Sequence, residues 1–182
     1  IMDLIQNYIS LLKSYNEKTN IFSKKAYDKL DFHINDCLTL STLIPDTPCV
    51  VFDFGSGSGL PSIPLAIYKK NIKIFAIESK SRKTAFLNKA KESLNLSNLT
   101  IVNKNLFEWE PPCKPDIITA KAFAPLEKIN RLYNKFKQKK TIVLIPISSS
   151  QALIYKKEPN VLIIEKNNYL YAKITNNQLK AI

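Results

Sequence analysis

Apolar positions along the chain change period several times, and each change marks an element. Over residues 2–15, Leu4, Ile5, Tyr8, Ile9, Leu11 and Leu12 recur three and four apart, the spacing of one helix face, and a second helical stretch covers Ala26 to Leu43. Pro45 and Pro48 end that regime. Cys49-Val-Val-Phe-Asp-Phe54 is then a short, nearly continuous apolar run, as expected of a strand buried on both faces. A helix follows from Pro61 to Lys70, its prolines placed in the first turn where no hydrogen bond is lost. After it come a strand at Ile72–Ile77, a helix at Ser81–Leu94, strands at Leu99–Val102 and Asp116–Ala120, a helix at Pro125–Lys137 and a strand at Thr141–Ile145. Near the end, Val161–Glu165 and Tyr169–Thr175 flank Lys166-Asn167-Asn168 in the manner of a hairpin.

Strands alternating with helices imply an α/β fold with a mostly parallel sheet, here closed by an antiparallel hairpin. The reading is one globular unit, with a helical amino-terminal extension over residues 1–45 and the α/β domain over residues 46–182.

Glycine usage points to one place in that fold. Average usage near 7% would put roughly thirteen glycines in a chain this long, but there are three, Gly55, Gly57 and Gly59, all within five residues. The backbone there therefore needs positive φ or close approach to a ligand. In doubly wound sheets ligands bind beyond the carboxyl ends of the strands, where the first strand turns into the first helix, and Asp53-Phe-Gly-Ser-Gly-Ser-Gly59 sits at that turn. The dinucleotide pattern G-x-G-x-x-G fails, because Leu60 stands five after Gly55, and no Gly-Lys-Ser/Thr of a P-loop follows. Asp53 would repel a pyrophosphate but favours the sulfonium and ammonium of S-adenosylmethionine (SAM). Glu78, nineteen residues after Gly59, ends the second strand, where a carboxylate accepts hydrogen bonds from both ribose hydroxyls. The end of the third strand, Asn103 to Glu108, should approach the adenine, with Leu106 and Phe107 flanking the base. These residues outline a class I, Rossmann-like SAM-dependent methyltransferase.

Charge extends the picture to a partner. The formal net charge is +12, from 27 basic and 15 acidic residues, which suits a polyanion whose counterions are released on binding. Only Arg82 and Arg131 are arginines, so part of this excess reflects lysine-rich amino-acid usage. Lys80, Arg82 and Lys83 begin the helix after Glu78, where they meet phosphates or form a solvated helix face. Phe123 follows the fourth strand, placed to stack on a base or to pack in the core. Cys37, Cys49 and Cys113 are far apart and form no CxxC pair, so neither a disulfide framework nor a metal site is expected. The apolar runs are short and broken by lysine or proline, and the amino terminus lacks a charged segment followed by an apolar core. A cytoplasmic protein without a membrane span, acting as a monomer, is the expectation.

Several segments resemble the RsmG (GidB) family of bacterial methyltransferases. Asn20-Ile-Phe-Ser23 with His33-Ile-Asn-Asp36 is similar to the family's amino-terminal N-L-T and H-I-L-D-S elements. Phe52-Asp-Phe-Gly-Ser-Gly-Ser-Gly-Leu-Pro-Ser-Ile-Pro-Leu-Ala66 resembles its D-x-G-S-G-x-G-x-P-G-I-P-L-A signature, with Pro61 and Pro64 adding specificity. Glu78-Ser-Lys-Ser-Arg-Lys-Thr-Ala-Phe-Leu87 and Ala120-Lys-Ala-Phe-Ala-Pro-Leu126 resemble two further blocks. The resemblance implies SAM as cofactor, N7 of one guanine in 16S ribosomal RNA of the small subunit as substrate, and cofactor contacts at Gly55, Leu60, Leu106, Phe107 and Lys121. The chain departs from the family pattern at Lys121, where arginine is usual, at Phe32, where arginine usually precedes the histidine, at Ser62, and at Leu144-Ile-Pro-Ile-Ser148, which lacks the usual Lys-Gly pair.

The chemistry so implied needs no general base, because guanine N7 carries a free lone pair and correct positioning suffices. No catalytic acid or base is therefore assigned, and His33 is read as a structural histidine. Ala122-Phe-Ala-Pro125 stands where enzymes acting on exocyclic amines carry Asn/Asp-Pro-Pro-Tyr, and Cys113 precedes the fourth strand, at the wrong end of the sheet for a nucleophile. Two other readings remain open at this point. One is a class I methyltransferase acting on a small molecule or protein, which would turn over without RNA; the other is a noncatalytic RNA-binding derivative, whose RNA binding SAM would not alter.

Overall fold

The computed structural model describes residues 1–175. Helix α1 (Met2–Thr19) buries Ile5, Tyr8, Ile9, Leu12 and Asn16, the stripe expected from its periodicity. It stops at Asn20, whose φ of 51° is the left-handed turn asparagine tolerates, and the Asn20 N–H caps the carbonyl of Asn16. The Asn16 side chain then holds the descending chain through the Phe22 backbone and the Tyr27 hydroxyl. The second predicted helix is divided: Lys24–Lys29 forms a 3₁₀ segment without a buried residue, and the α-helix proper, α2, runs from Leu30 to Ser41. The apolar face begins only at Leu30, so nothing before it anchors regular helix to the core.

The α/β part follows the predicted order, with β1 (Val50–Phe54), α3 (Ser62–Tyr68), β2 (Lys73–Ile77), α4 (Ser81–Ser93), β3 (Leu99–Val102), β4 (Ile117–Thr119), α5 (Leu126–Phe136) and β5 (Ile142–Ile147). A further short helix, α6 (Ser149–Tyr155), has no counterpart in the periodicity of the sequence. It has one buried residue, Tyr155, and so no apolar stripe; a capping box between Ser148 and Gln151 starts it instead. The hairpin β6 (Val161–Lys166) and β7 (Tyr169–Ile174) turns through Asn167 and Asn168, both at positive φ.

The strands make one sheet of seven in the order β3-β2-β1-β4-β5-β7-β6. All pairings through β5 are parallel, and β7 inserts antiparallel between β5 and β6. Side chains alternate between two cores. Val51, Ile74, Ala76 and Leu144 face α1, α2, α3 and α4, whereas Phe52, Phe54, Phe75, Ile77, Val143 and Ile145 face α5 and the Trp109 segment. The amino-terminal helices thus share the core on one sheet face, with Ile5, Tyr8, Leu12 and Leu40 packed in the same cluster as Ile63, Leu65 and Phe86. The expected domain runs to residue 182, and its last seven residues lie outside those described.

Candidate functional site

The chain leaves β1 toward β2 on one side and returns to β4 on the other, which opens a crevice at the carboxyl ends of the central strands. The glycine loop lies over it. Its Gly55 and Ser56 N–H groups both donate to the Ile77 carbonyl at the end of β2, at 2.9 and 3.1 Å. The next residue, Glu78, accepts from the Gly57 N–H at 3.0 Å through one carboxylate oxygen and from the Lys80 N–H at 2.9 Å through the other. One carboxylate therefore ties the loop to the start of α4 by charge-assisted bonds.

Beside this junction lies a cavity of about 310 Å³. Of the expected site residues, Gly55, Glu78, Lys80, Lys83, Leu106, Phe107 and Phe123 line it together. Glu78 is the acidic member, while Lys80, Lys83, Lys104 and Lys128 line the same space and give it a strongly positive surround. The ammonium of Lys128 lies 5.1 Å from the Phe123 ring centroid and 5.7 Å from that of Phe107, and the Arg131 guanidinium lies 5.4 Å from Phe107. Sequence reasoning misses Lys128, which reads as one more polar position on an amphipathic helix. The available signal is that α5 starts at the carboxyl end of β4.

Other expected residues do not line the cavity. Asp53 is wholly buried beneath the loop, and neither carboxylate oxygen meets a donor in proper hydrogen-bond geometry, although Ser56 and Ser62 lie close enough to moderate its charge. Burial pushes its carboxyl up to about 6. Its charge therefore acts from behind the loop and not at the cavity wall. Leu60 is buried in the core shared with α1, and Gly59 packs so tightly on Ile63 that a Cβ would stand 2.4 Å from its methyl carbon. Gly57 offers its N–H to Glu78. Arg82 turns to the Thr19 carbonyl at the end of α1. Lys121 forms a buried ion pair with Asp36 of α2, whose other carboxylate oxygen accepts from the Tyr171 hydroxyl at 2.9 Å.

The close approach expected at the glycine loop is made by protein. All three glycines have positive φ, and a Cβ on Gly55 would lie 2.1 Å from the Phe123 ring. Phe123 is held there by Ala122, a non-glycine residue at φ 49°. Such a conformation costs on the order of 1 kcal/mol, and it turns the loop after β4 back toward the loop after β1.

The model of the family rRNA small subunit methyltransferase G (GidB) matches residues 1–179. The chain belongs to this family. Among its relatives, the ribosomal RNA small subunit methyltransferase G of Brachyspira hyodysenteriae is 38% identical over 168 residues, covering 91% of this chain and 79% of that one. The protein of the same name from Helicobacter acinonychis is 37% identical over 135 residues, covering 72% and 75%. In fold, the chain is similar to a SAM-dependent O-methyltransferase from Thermotoga maritima, with a TM-score of 0.62, 13% identity and coverage of 81% of this chain and 67% of that one. The architecture is that of the class I methyltransferases, as family membership and the sheet order both require. Among the described residues, no group of histidine, cysteine and acidic side chains is placed to hold a metal, and no helix is long and apolar enough to cross a membrane.

Proposed function

We propose that this chain transfers the methyl group of SAM to N7 of a guanine in 16S ribosomal RNA, working as a cytoplasmic monomer. Family membership makes rRNA methylation with SAM the coarse reading; the guanine N7 is the finer one, supported by the site. The observation that carries it is the convergence, in one cavity, of Glu78 and Gly55 of the glycine loop with four lysines.

The residues present fit the cofactor. Each oxygen of Glu78 is fixed by one backbone N–H and keeps a further lone pair, so the carboxylate can take ribose hydroxyls without losing its place. Leu106, Phe107 and Ile77 provide apolar wall for an adenine. When bound, SAM supplies an electrophilic methyl on a sulfonium. The chain's own part is positioning: Glu78 and the loop hold one reactant, the lysines draw in the RNA backbone, and the nucleophilic lone pair of N7 requires no proton to be removed. This fits a cofactor cavity whose titratable groups are lysines and the carboxylate of Glu78.

The test is incubation with methyl-labelled SAM and small ribosomal subunits lacking the modification, followed by mapping of N7-methylguanine through chemical cleavage of the RNA. Label at a single guanine of 16S RNA is the expected result. SAM binding without transfer to RNA would overturn the reading.

A further inference from the structure

A second cavity, of about 470 Å³, lies next to the first, and Ala122 lines both. It is bounded by α2, the turn into α6 and the β6–β7 turn. On its wall the Phe32 and Tyr169 rings lie 5.0 Å apart at 49°. Phe32 is 54% exposed, an unusual position for a phenylalanine within a helix that buries Leu30, Ile34, Cys37 and Leu40. The floor is the Lys121–Asp36 ion pair, with Tyr171 donating to the same carboxylate, so its charge is balanced internally. His33 lines the space with a buried Nδ1 that lacks a partner, and Ser148 and Gln151 present polar groups from the other side.

We infer that this second cavity receives the target guanine, turned out of its RNA strand and stacked on Phe32 and Tyr169, with its N7 edge toward Ala122 and the cofactor cavity. The inference rests on the reading of the chain as an RNA guanine methyltransferase and adds where the base sits. Three observations favour a nucleobase as occupant. Exposed aromatic faces are the platform on which unpaired bases stack. The charge of the floor is already neutralised, which suits an uncharged heterocycle, whereas the lysines that would meet phosphates line the first cavity. The side chain at the junction is a single methyl, Ala122, held at positive φ, so the two cavities approach each other with little between them.

The test uses substitutions at the Phe32–Tyr169 platform. Phe32→Ala and Tyr169→Ala should each raise KM for undermethylated small subunits by roughly 5- to 100-fold, the range for losing one stacking partner, with the SAM Kd unchanged as evidence of an intact fold. Phe32→Trp and Tyr169→Phe, which keep a ring, should stay within about twofold of the parent. Independently, with the cofactor cavity filled by S-adenosylhomocysteine, photolysis of 8-azidoguanosine 5′-monophosphate should label the tryptic peptide 167–173, which contains Tyr169. Unchanged KM in both alanine variants, or label confined to peptides outside this cavity, would overturn the inference while leaving the function intact. No methylation by the unaltered chain would instead fail the functional reading, and the labelled peptide would then decide the cavity by itself.

Discussion

The hydroxyl of Tyr8, in the first helix, donates a 2.9 Å hydrogen bond to the carbonyl of Ser58 in the glycine loop, fifty residues along the chain. Tyr8 is wholly buried, and its hydroxyl is held well above the usual phenol range, chiefly by that burial, so it remains a donor. The amino-terminal extension therefore reaches the glycine loop directly. Tyr8→Phe keeps the packing but leaves the Ser58 carbonyl without its donor. We expect a loss of about 1–3 kcal/mol in stability, the cost of an unmet buried acceptor, together with weaker SAM binding. Denaturation and calorimetric titration of the variant measure both; parent-like values would mean that the extension merely covers the core.

Glu78 carries the link between the loop and α4, and its two acceptors face two backbone donors. Glutamine has one acceptor and turns an NH₂ toward the other N–H. Glu78→Gln should weaken SAM binding by roughly 10- to 150-fold, as for loss of about 1.5–3 kcal/mol in a charged hydrogen bond, and should lower the melting temperature as well, because one buried backbone N–H loses its acceptor. An unchanged Kd would remove Glu78 from the cofactor site.

The glycines should differ in tolerance. Alanine at Gly55 drives a Cβ into Phe123, whereas at Gly57 the nearest atoms are 3.7 and 3.8 Å away. Both substitutions suffer from positive φ at a cost of about 1–2 kcal/mol, but Gly55→Ala adds a steric clash. It should be the more destabilising of the two, and Phe123→Leu in the same chain should recover part of the loss. Equal effects in thermal denaturation would show that backbone strain alone governs the loop.

Asp53 gives the apoprotein a pH dependence of definite sign. Its carboxyl titrates near 3.8 when unfolded and at about 6 when folded, so between those values the folded state binds more protons. Asp53's contribution to stability is fullest below about pH 4, falls as pH rises toward about 6, and then levels, with the buried charge costing on the order of 3 kcal/mol at neutral pH. Asp53→Asn should raise the melting temperature at pH 7.5 and give no gain at pH 4. A variant no more stable than its parent at pH 7.5 would show that Ser56 and Ser62 satisfy the carboxylate in full.

Much of this protein is legible in the amino-acid sequence alone. The order of strands and helices follows from apolar period and proline placement, because each element must bury one face whatever its neighbours are. The candidate site's place in the fold is suggested by the gathering of every glycine into residues 55–59, and that Glu78, Leu106 and Phe107 line one cavity with Gly55 follows from the rule that the ends of parallel strands converge. The α6 helix is not legible, since a capping box on an exposed segment leaves no hydrophobic signature.

Tertiary structure alone decided which way side chains point. Asp53, Arg82 and Lys121 belong to motifs at the mouth, yet one is sealed under the loop, one is held by the end of α1 and one is paired with Asp36, eighty-five residues away. It also decided that Phe123 fills the space Gly55 leaves and that Lys128 joins the cavity wall. Periodicity is a local property fixed by burial of a face, whereas these pairings join residues far apart in the chain and exist only once the sheet has brought their strand ends together.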